Sequence, residues 1–359
     1  MGNTLFEIRT LTGLRGFAAL WVVLLHYRYG VLADQYGAWA FFFRRGYLGV
    51  HMFFVLSGFI LSYVHRRNFI TGLDWHAALR FLWLRLARIY PVHIAMLFCV
   101  AWVFIPLTVG LQPYDTAFTF LLNVFLIHAW GFTDGVTWNE ASWSISTEWF
   151  AYLCFPILAL VTATLRRRGW ALSLLACGIL YLASRVLAAK VLPAHELIGF
   201  HYGISLFSFT LLFVFGFLLH GLAYTIEKAP RFYNTSVGVA AAATLAIALL
   251  PVTYEWFMLP VTFGLMILGL YRANGVTAAI FGNPVSFYLG RISYSLYMTH
   301  IAVYWCLDYF MLTPINEVHL LPEICVAIVV ASVVHHKIEV PSRRLMREDF
   351  MPLAFAYAK

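Results

Sequence analysis

Charge is scarce in this sequence. Of its 359 residues, 11% are Asp, Glu, Lys or Arg and 62% are hydrophobic. A soluble domain carries about 25% charged residues, so a water-soluble globular chain is excluded. An all-α, polytopic membrane protein is expected. Cysteine is also sparse. The five present (Cys99, Cys154, Cys177, Cys306, Cys325) fall in apolar runs and read as small hydrophobes rather than as a disulfide or metal framework. No group of His, Cys, Asp or Glu has metal-ligand spacing, so no metal centre is expected. A Gly-x-Ser-x-Gly nucleophile elbow is missing around Ser57. There is no internal repeat, no low-complexity stretch and no soluble module, so 1–359 reads as a single membrane domain. The start, MGNTLFEIRT, lacks the small-residue cleavage site of a signal peptide. Phe6 stands where a myristoylation signal wants Ser or Thr. The net charge of +8 does not indicate a nucleic-acid partner, because it is concentrated in short connections, where Lys and Arg set membrane orientation.

Runs long enough to cross a bilayer, about 20 residues, occur about ten times: Leu11–Tyr29, Tyr47–Val64, Arg88–Val109, Trp149–Leu165, Ala171–Ala188, Tyr202–Leu222, Ser236–Leu250, Glu255–Tyr271, Ser293–Met311 and Leu320–His336. Alternate connections are basic. They carry Arg66, Arg67, Arg80 and Arg85; then Arg166, Arg167 and Arg168; then Lys228 and Arg231; then Arg272; and the tail has Lys337, Arg343, Arg344 and Arg347. The intervening ones are poor in Lys and Arg, and Gly110 to Ser142 has none. A helical bundle with both termini cytoplasmic fits this alternation. Arg44 and Arg45, in the first external connection, fit it less well. Phe118 to Trp130 is apolar but short, and reads as a re-entrant or interfacial segment.

Two ionisable residues stand inside the first span, Arg15 and His26. Such residues are expensive in a membrane and are functional by default. Eleven positions at about 100° each bring them to one face, about 16 Å apart along the axis. An anion held at Arg15 would leave a reacting group near His26. Arg85 and Arg88, at the cytoplasmic entrance to span three, add guanidiniums suited to a phosphate ligand. Glu148 opens span four from the external side and could orient the imidazole or bind a hydroxyl; the dipole at a helix N-terminus also favours it there. A His near its working pKa can accept a hydroxyl proton. Ser57-Gly58 in span two reads as helix packing. His51 reads as interfacial, as do His335 and His336. Tyr297 and His300 in span nine share one face and are polar-cavity candidates or satisfied core groups. Trp138, Asn139, Glu140 and Trp143 form an external aromatic and polar stretch suited to a hydroxyl-rich ligand or to the membrane interface.

Six segments in this order resemble acyltransferase family 3, integral membrane proteins that acylate mostly extracytoplasmic glycans. They are LRGFAALWVVLLHY, GYLGVHMFFVLSGFIL, RLARIYP, WSISTEWFAYLCFP, LGRISYSLYMTH and IEVPSRRL. The resemblance covers almost the whole chain. It implies transfer of an acyl group, usually acetyl, from cytoplasmic acyl-CoA as co-substrate to a sugar hydroxyl, with no permanently bound cofactor. Carried over by position, Arg15 and His26 are the functional pair, Arg85 and Arg88 the basic pair, and Ser57, Trp143 and Glu148 further motif residues. His51 replaces the Asp of many members, and Val340 and Ser342 replace the commoner residues beside the Pro of the last block.

The expected enzyme is a multi-pass protein of the inner (plasma) membrane. Its expected partners are a carbohydrate acceptor, the lipid bilayer and polysaccharide biosynthesis proteins. His26 would deprotonate the acceptor or carry the acyl group transiently. Two other readings use the same residues: a proton-coupled transporter and a non-catalytic polysaccharide export accessory protein.

Overall fold

Apolar runs interrupted by short polar connections leave the backbone one way to satisfy its hydrogen bonds inside a bilayer, the α-helix. The computed structural model describes residues 7–28, 38–107, 110–133, 135–191, 202–225, 230–250, 255–311 and 320–350, and among them all regular structure is helical. The main helices are α1 (Arg9–Arg28), α2 (Ala38–Arg44), α3 (Leu48–His65), α4 (Trp75–Cys99), α5 (Ala117–Val124), α6 (Trp143–Val161), α7 (Arg167–Val191), α8 (Tyr202–Tyr224), α9 (Pro230–Leu249), α10 (Leu259–Tyr271), α11 (Gly275–Gly282), α12 (Pro284–Met311) and α13 (Leu320–Val334). A π-helical turn (His335–Glu339), a short helix (Val340–Leu345) and a second π-turn (Met346–Phe350) prolong α13.

Over its described residues each expected span is mainly helical, but the count of ten needs correction. Among the described residues eight helices are long and apolar enough to cross a membrane, or nine if α10 and α11 form one broken span, bent by 100° at their junction. The eighth expected span, Glu255–Tyr271, covers only the first helix of this bent pair. The ninth lies in α12, which is long but carries Arg291, Ser293, Ser295, Thr299 and His300 and does not qualify by hydropathy. The third begins earlier than its apolar run. Asp74 caps α4 by accepting a bond from the His76 amide at 2.9 Å, so the helix starts at Trp75 and not near Arg88. Arg85 and Arg88 therefore stand about 15 and 20 Å into it, not at its entrance.

The residues group into two compact units. The first comprises Met1–Val64, Leu165–Pro193 and Phe207–Ser293; the second comprises His65–Thr164, Ala194–Leu206 and Tyr294–Lys359.

In the first unit, small residues let helices touch by their backbones. A Cβ at Gly58 would run into the Phe213 carbonyl, and one at Gly216 into the Val55 carbonyl, so α3 and α8 cross in direct contact. Gly13, Gly16 and Gly290 do the same for α1 against α11 and the start of α12. Arg45 has a local explanation. It is 8% exposed and donates to the carbonyls of Ile247 and Leu250, at the C-terminal end of α9. Those carbonyls have no partner within their helix, and a cation there also meets the negative end of the helix dipole.

In the second unit, α5 is eight residues, about 12 Å long, and is too short to span. Thr116 and Thr119 form a capping box at its start, and Leu126, at φ 59°, turns the chain back. The following loop is built on buried hydrogen bonds. The Asp115 carboxylate accepts from the amides of Gln112 (3.0 Å) and Trp138 (2.6 Å), which holds Trp138 at φ 53°. Asn123 donates to the Thr119 carbonyl and the Thr137 hydroxyl.

Candidate functional site

The first unit holds Arg15, His26, His51 and Ser57. Arg15 and His26 are half-buried on α1. Arg15 stands between Gly13 and Gly16, two positions where α1 meets its neighbours by close backbone approach, so its stretch of helix is fixed by backbone packing. His26 Nδ1 lies 2.9 Å from the Val22 carbonyl. In the neutral ring this puts the proton on Nδ1 and the basic lone pair on Nε2, the tautomer a proton acceptor needs. Ser57 precedes the glycine of the α3–α8 crossing, in keeping with a packing role.

His51 is enclosed by the protein. It is 8% exposed, with Nδ1 at 3.2 Å from the Tyr47 carbonyl and its ring 4.6 Å from that of Phe209. A second polar tie in this unit was not anticipated. Ser62 Oγ and His220 Nδ1 are 2.8 Å apart, both buried, with the rings of Phe59 and Tyr63 packed against the imidazole.

The second unit brings together most of the other candidates. Arg88 on α4 lies over the Tyr294 ring, 5.5 Å from its centroid, and pairs with the carboxylate of Glu339. The Tyr294 hydroxyl donates to the Ile89 carbonyl. One turn along α12, the Ser144 hydroxyl donates to Tyr297 at 2.9 Å. Glu148, one turn beyond Ser144 on α6, acts electrostatically on Arg85, Tyr294 and Tyr297. Glu148 is thus within electrostatic reach of Arg85. Trp143, 6% exposed, opens α6 beside this group. His300 is fully buried and directs Nδ1 to the Tyr297 carbonyl at 2.6 Å, the arrangement of a satisfied core histidine.

Glu339 is the residue that sequence reasoning passed over. It is 1% exposed, accepts from the Ser295 hydroxyl at 2.7 Å and the His335 imidazole at 2.9 Å, and carries the ion pair to Arg88. His335 is therefore buried, at 3% exposed, while its neighbour His336 faces outward. A carboxylate at the end of an apolar run was the available signal. Asn139 also serves the fold first: it is buried and donates to the Met298 carbonyl at 3.1 Å, while Glu140 beside it is exposed.

The loop after α5 contributes a second polar group to this unit. The rings of His93 and His128 stack in parallel, 2° apart in plane and 5.8 Å between centroids. His93 Nε2 meets the Asn123 carbonyl at 2.9 Å and His128 Nε2 the Ser142 hydroxyl at 3.1 Å. Burial, reinforced by His93, pushes the His128 imidazole down to about 3, so it is neutral at physiological pH. Among the described residues no group of three or more His, Cys, Asp or Glu is arranged to hold a metal ion.

The chain has relatives among known proteins. A family model described as an acyltransferase domain matches residues 8–336. Acyltransferase MdmB of Streptomyces mycarofaciens is 26% identical over 313 residues, covering 83% of this chain and 79% of that protein. A protein of Staphylococcus aureus (strain COL), provisionally named an O-acetyltransferase, is 23% identical over 363 residues, covering 93% of this chain. The chain spans only 57% of that protein's length. Protein 2 in the picA locus of Rhizobium radiobacter is 33% identical over 155 residues, covering 39% of this chain and 72% of that protein. No solved structure matches. The chain belongs to the acyltransferase-domain family, as an all-helical, multi-pass membrane acyltransferase.

Proposed function

We propose that this chain is an O-acyltransferase of the inner membrane that moves an acyl group, acetyl first among the candidates, from cytoplasmic acyl-CoA to a hydroxyl of an extracytoplasmic carbohydrate. The observation that carries this reading is the pair on α1. Arg15 and His26 share a face about 16 Å apart, a length comparable with the pantetheine arm between the phosphates and thioester of a CoA. His26 has its Nδ1 proton directed to the Val22 carbonyl, which puts the basic lone pair on Nε2. In the proposed step Nε2 takes the acceptor's hydroxyl proton as its oxygen attacks the thioester carbonyl. The C–S bond breaks, a C–O bond forms, and the imidazolium returns the proton to the departing thiolate. Arginine suits the phosphates because its planar fork binds them bidentately. The buried cations and imidazoles would also serve a proton-coupled transporter, but membership of an acyltransferase family favours group transfer.

The test is turnover by purified protein in nanodiscs with radiolabelled acetyl-CoA and extracted surface glycans. His26→Gln should lower turnover per folded protein by about 100-fold or more, because proton transfer by a positioned side chain contributes roughly that much. Near-normal turnover in His26→Gln removes the base from the mechanism. Transport of a glycan or proton without acyl transfer would favour the transporter.

A further inference from the structure

In the first unit, α3, α7, α8 and α10 contain no Asp or Glu. Yet α7 carries Arg185 within its apolar run. A series of contacts fixes its level. The Ser184 hydroxyl lies 3.1 Å from that of Ser208 on α8. Phe209, the next residue, packs its ring 4.6 Å from that of His51 on α3. Arg185 acts electrostatically on the same His51 and lies over the Trp256 ring, 5.6 Å from its centroid. It stands about 27 Å along the helix from Arg167 and about 9 Å short of Val191, where α7 ends. That places it near the membrane face opposite the Arg166–Arg168 cluster, the outer face on the charge alternation.

The Arg185 Nε is buried and has no hydrogen-bond partner. Among the described residues no carboxylate pairs with the guanidinium. An indole face attracts a cation but offers it no acceptor oxygen. A buried charged donor left unsatisfied is costly, and a cation inside a membrane span is functional by default. The residue as a whole is half-buried, so a ligand can reach it. Its place on the helix says what kind. Arg185 lies at the edge of the stripe that α7 turns to the protein, which holds the buried Tyr181 and Ser184. Beyond that edge Ile179 and Val186 are exposed. A cation at the end of an apolar strip fits an anionic headgroup above a hydrocarbon chain. The planar fork of arginine holds a phosphate bidentately.

We propose that Arg185, with Trp256 beside it, binds the phosphate of an anionic lipid in the outer half of the membrane, whose chain lies along the exposed side of α7. The phosphate can belong to a bulk phospholipid or to a lipid that carries a carbohydrate, and the test separates the two. This site stands apart from the acyl-transfer reading above.

Native mass spectrometry of the full chain in detergent measures retention of added phosphatidylglycerol, farnesyl phosphate and phosphatidylcholine. Wild type should hold at least one of the two anionic lipids about tenfold more tightly than phosphatidylcholine, whose own ammonium balances its phosphate. R185M keeps an apolar stem against Trp256 and removes the charge. Its affinity for that anionic lipid should fall about tenfold, the worth of one hydrogen bond to a charged group. R185K should fall between R185M and wild type, because charge is kept and the bidentate fork is lost. K190Q removes an exposed charge near the same end of α7 and should match wild type within about twofold. Size-exclusion profiles and melting temperatures are taken for each variant, and R185Q repeats the test where R185M fails to fold. The anionic lipid should raise the melting temperature of wild type and not that of R185M. A loss confined to phosphatidylglycerol supports a bulk phospholipid, and one confined to farnesyl phosphate supports a carrier lipid. Equal affinity of wild type and R185M for both anionic lipids, including no retention by either, overturns the inference. So does equal retention of phosphatidylcholine, or a loss in K190Q as large as that in R185M, which would make this a general effect of charge at that face.

Discussion

Glu339 offers the sharpest test of how the second unit holds its basic residues. The carboxylate is 1% exposed and Arg88 17% exposed, so water screens their attraction little. Removing one partner of a buried pair leaves the other charge uncompensated, at about 3–5 kcal/mol. Glu339→Ala should fall in that range, because the Ser295 hydroxyl and His335 imidazole lose their acceptor as well. Glu339→Gln keeps an oxygen for Ser295 and should cost less, about 1.5–3 kcal/mol, the worth of a hydrogen bond to a charged group. Arg88→Met should also destabilise. Replacing both partners with apolar groups of similar size is often nearly neutral, so Arg88→Met with Glu339→Leu should recover most of the loss. The assay is a double-mutant cycle on thermal unfolding in detergent, followed by size-exclusion fluorescence. We expect a coupling of about 2 kcal/mol or more, against the roughly 0.3–0.5 kcal/mol scatter of independent sites. If the two single losses simply add, Glu339 does not hold Arg88, and the account of this cluster is wrong.

Arg15→Lys should weaken CoA binding several-fold although the charge survives, because an ammonium cannot make the bidentate contact; unchanged affinity would assign Arg15 to packing between Gly13 and Gly16. His128 predicts a pH dependence of stability. Its folded-state value, about 3, lies below the unfolded 6.5, so the unfolded chain binds the extra proton between them. Stability is complete above pH 6.5 and falls as the pH drops toward 3, by up to about 1.4 kcal/mol per unit. Melting curves from pH 7 to 4 should show this slope in wild type and a shallower one in His128→Gln; parallel curves would contradict it.

The helices were legible in the sequence because burial in lipid forces one backbone solution on every long apolar run. Arg15, His26 and Glu148 were legible for a related reason, since each breaks such a run. Partners were not. The tolerance of Arg85 and Arg88 well inside α4 depends on Glu148, Tyr294 and Glu339, which follow some 60 to 250 residues later. Reading hydropathy along the chain therefore began the third span too late. The same distance hid the burial of His51 against Phe209 and of His335 against Glu339. Their neighbours on the chain are ordinary for a helix end, and only the fold shows which of them is enclosed. The α10–α11 bend was missed because each half is apolar and nothing in the composition marks a 100° turn except the polar stretch around Asn274.

The bond from Arg45 to the end of α9 also bears on how the protein is made. Ribosomal synthesis delivers Arg45 about 200 residues before Ile247 and Leu250. Throughout that interval the first helical hairpin carries basic residues at both ends of its second span, Arg44 and Arg45 at one and Arg66 and Arg67 at the other. The charge difference that directs insertion is then small, and the carbonyls that will receive Arg45 do not yet exist. If the Arg45 bond fixes the hairpin, its orientation should settle only when α9 arrives. A nascent chain stopped before Ile247 should insert in mixed orientations, whereas one carried past Leu250 should insert in one.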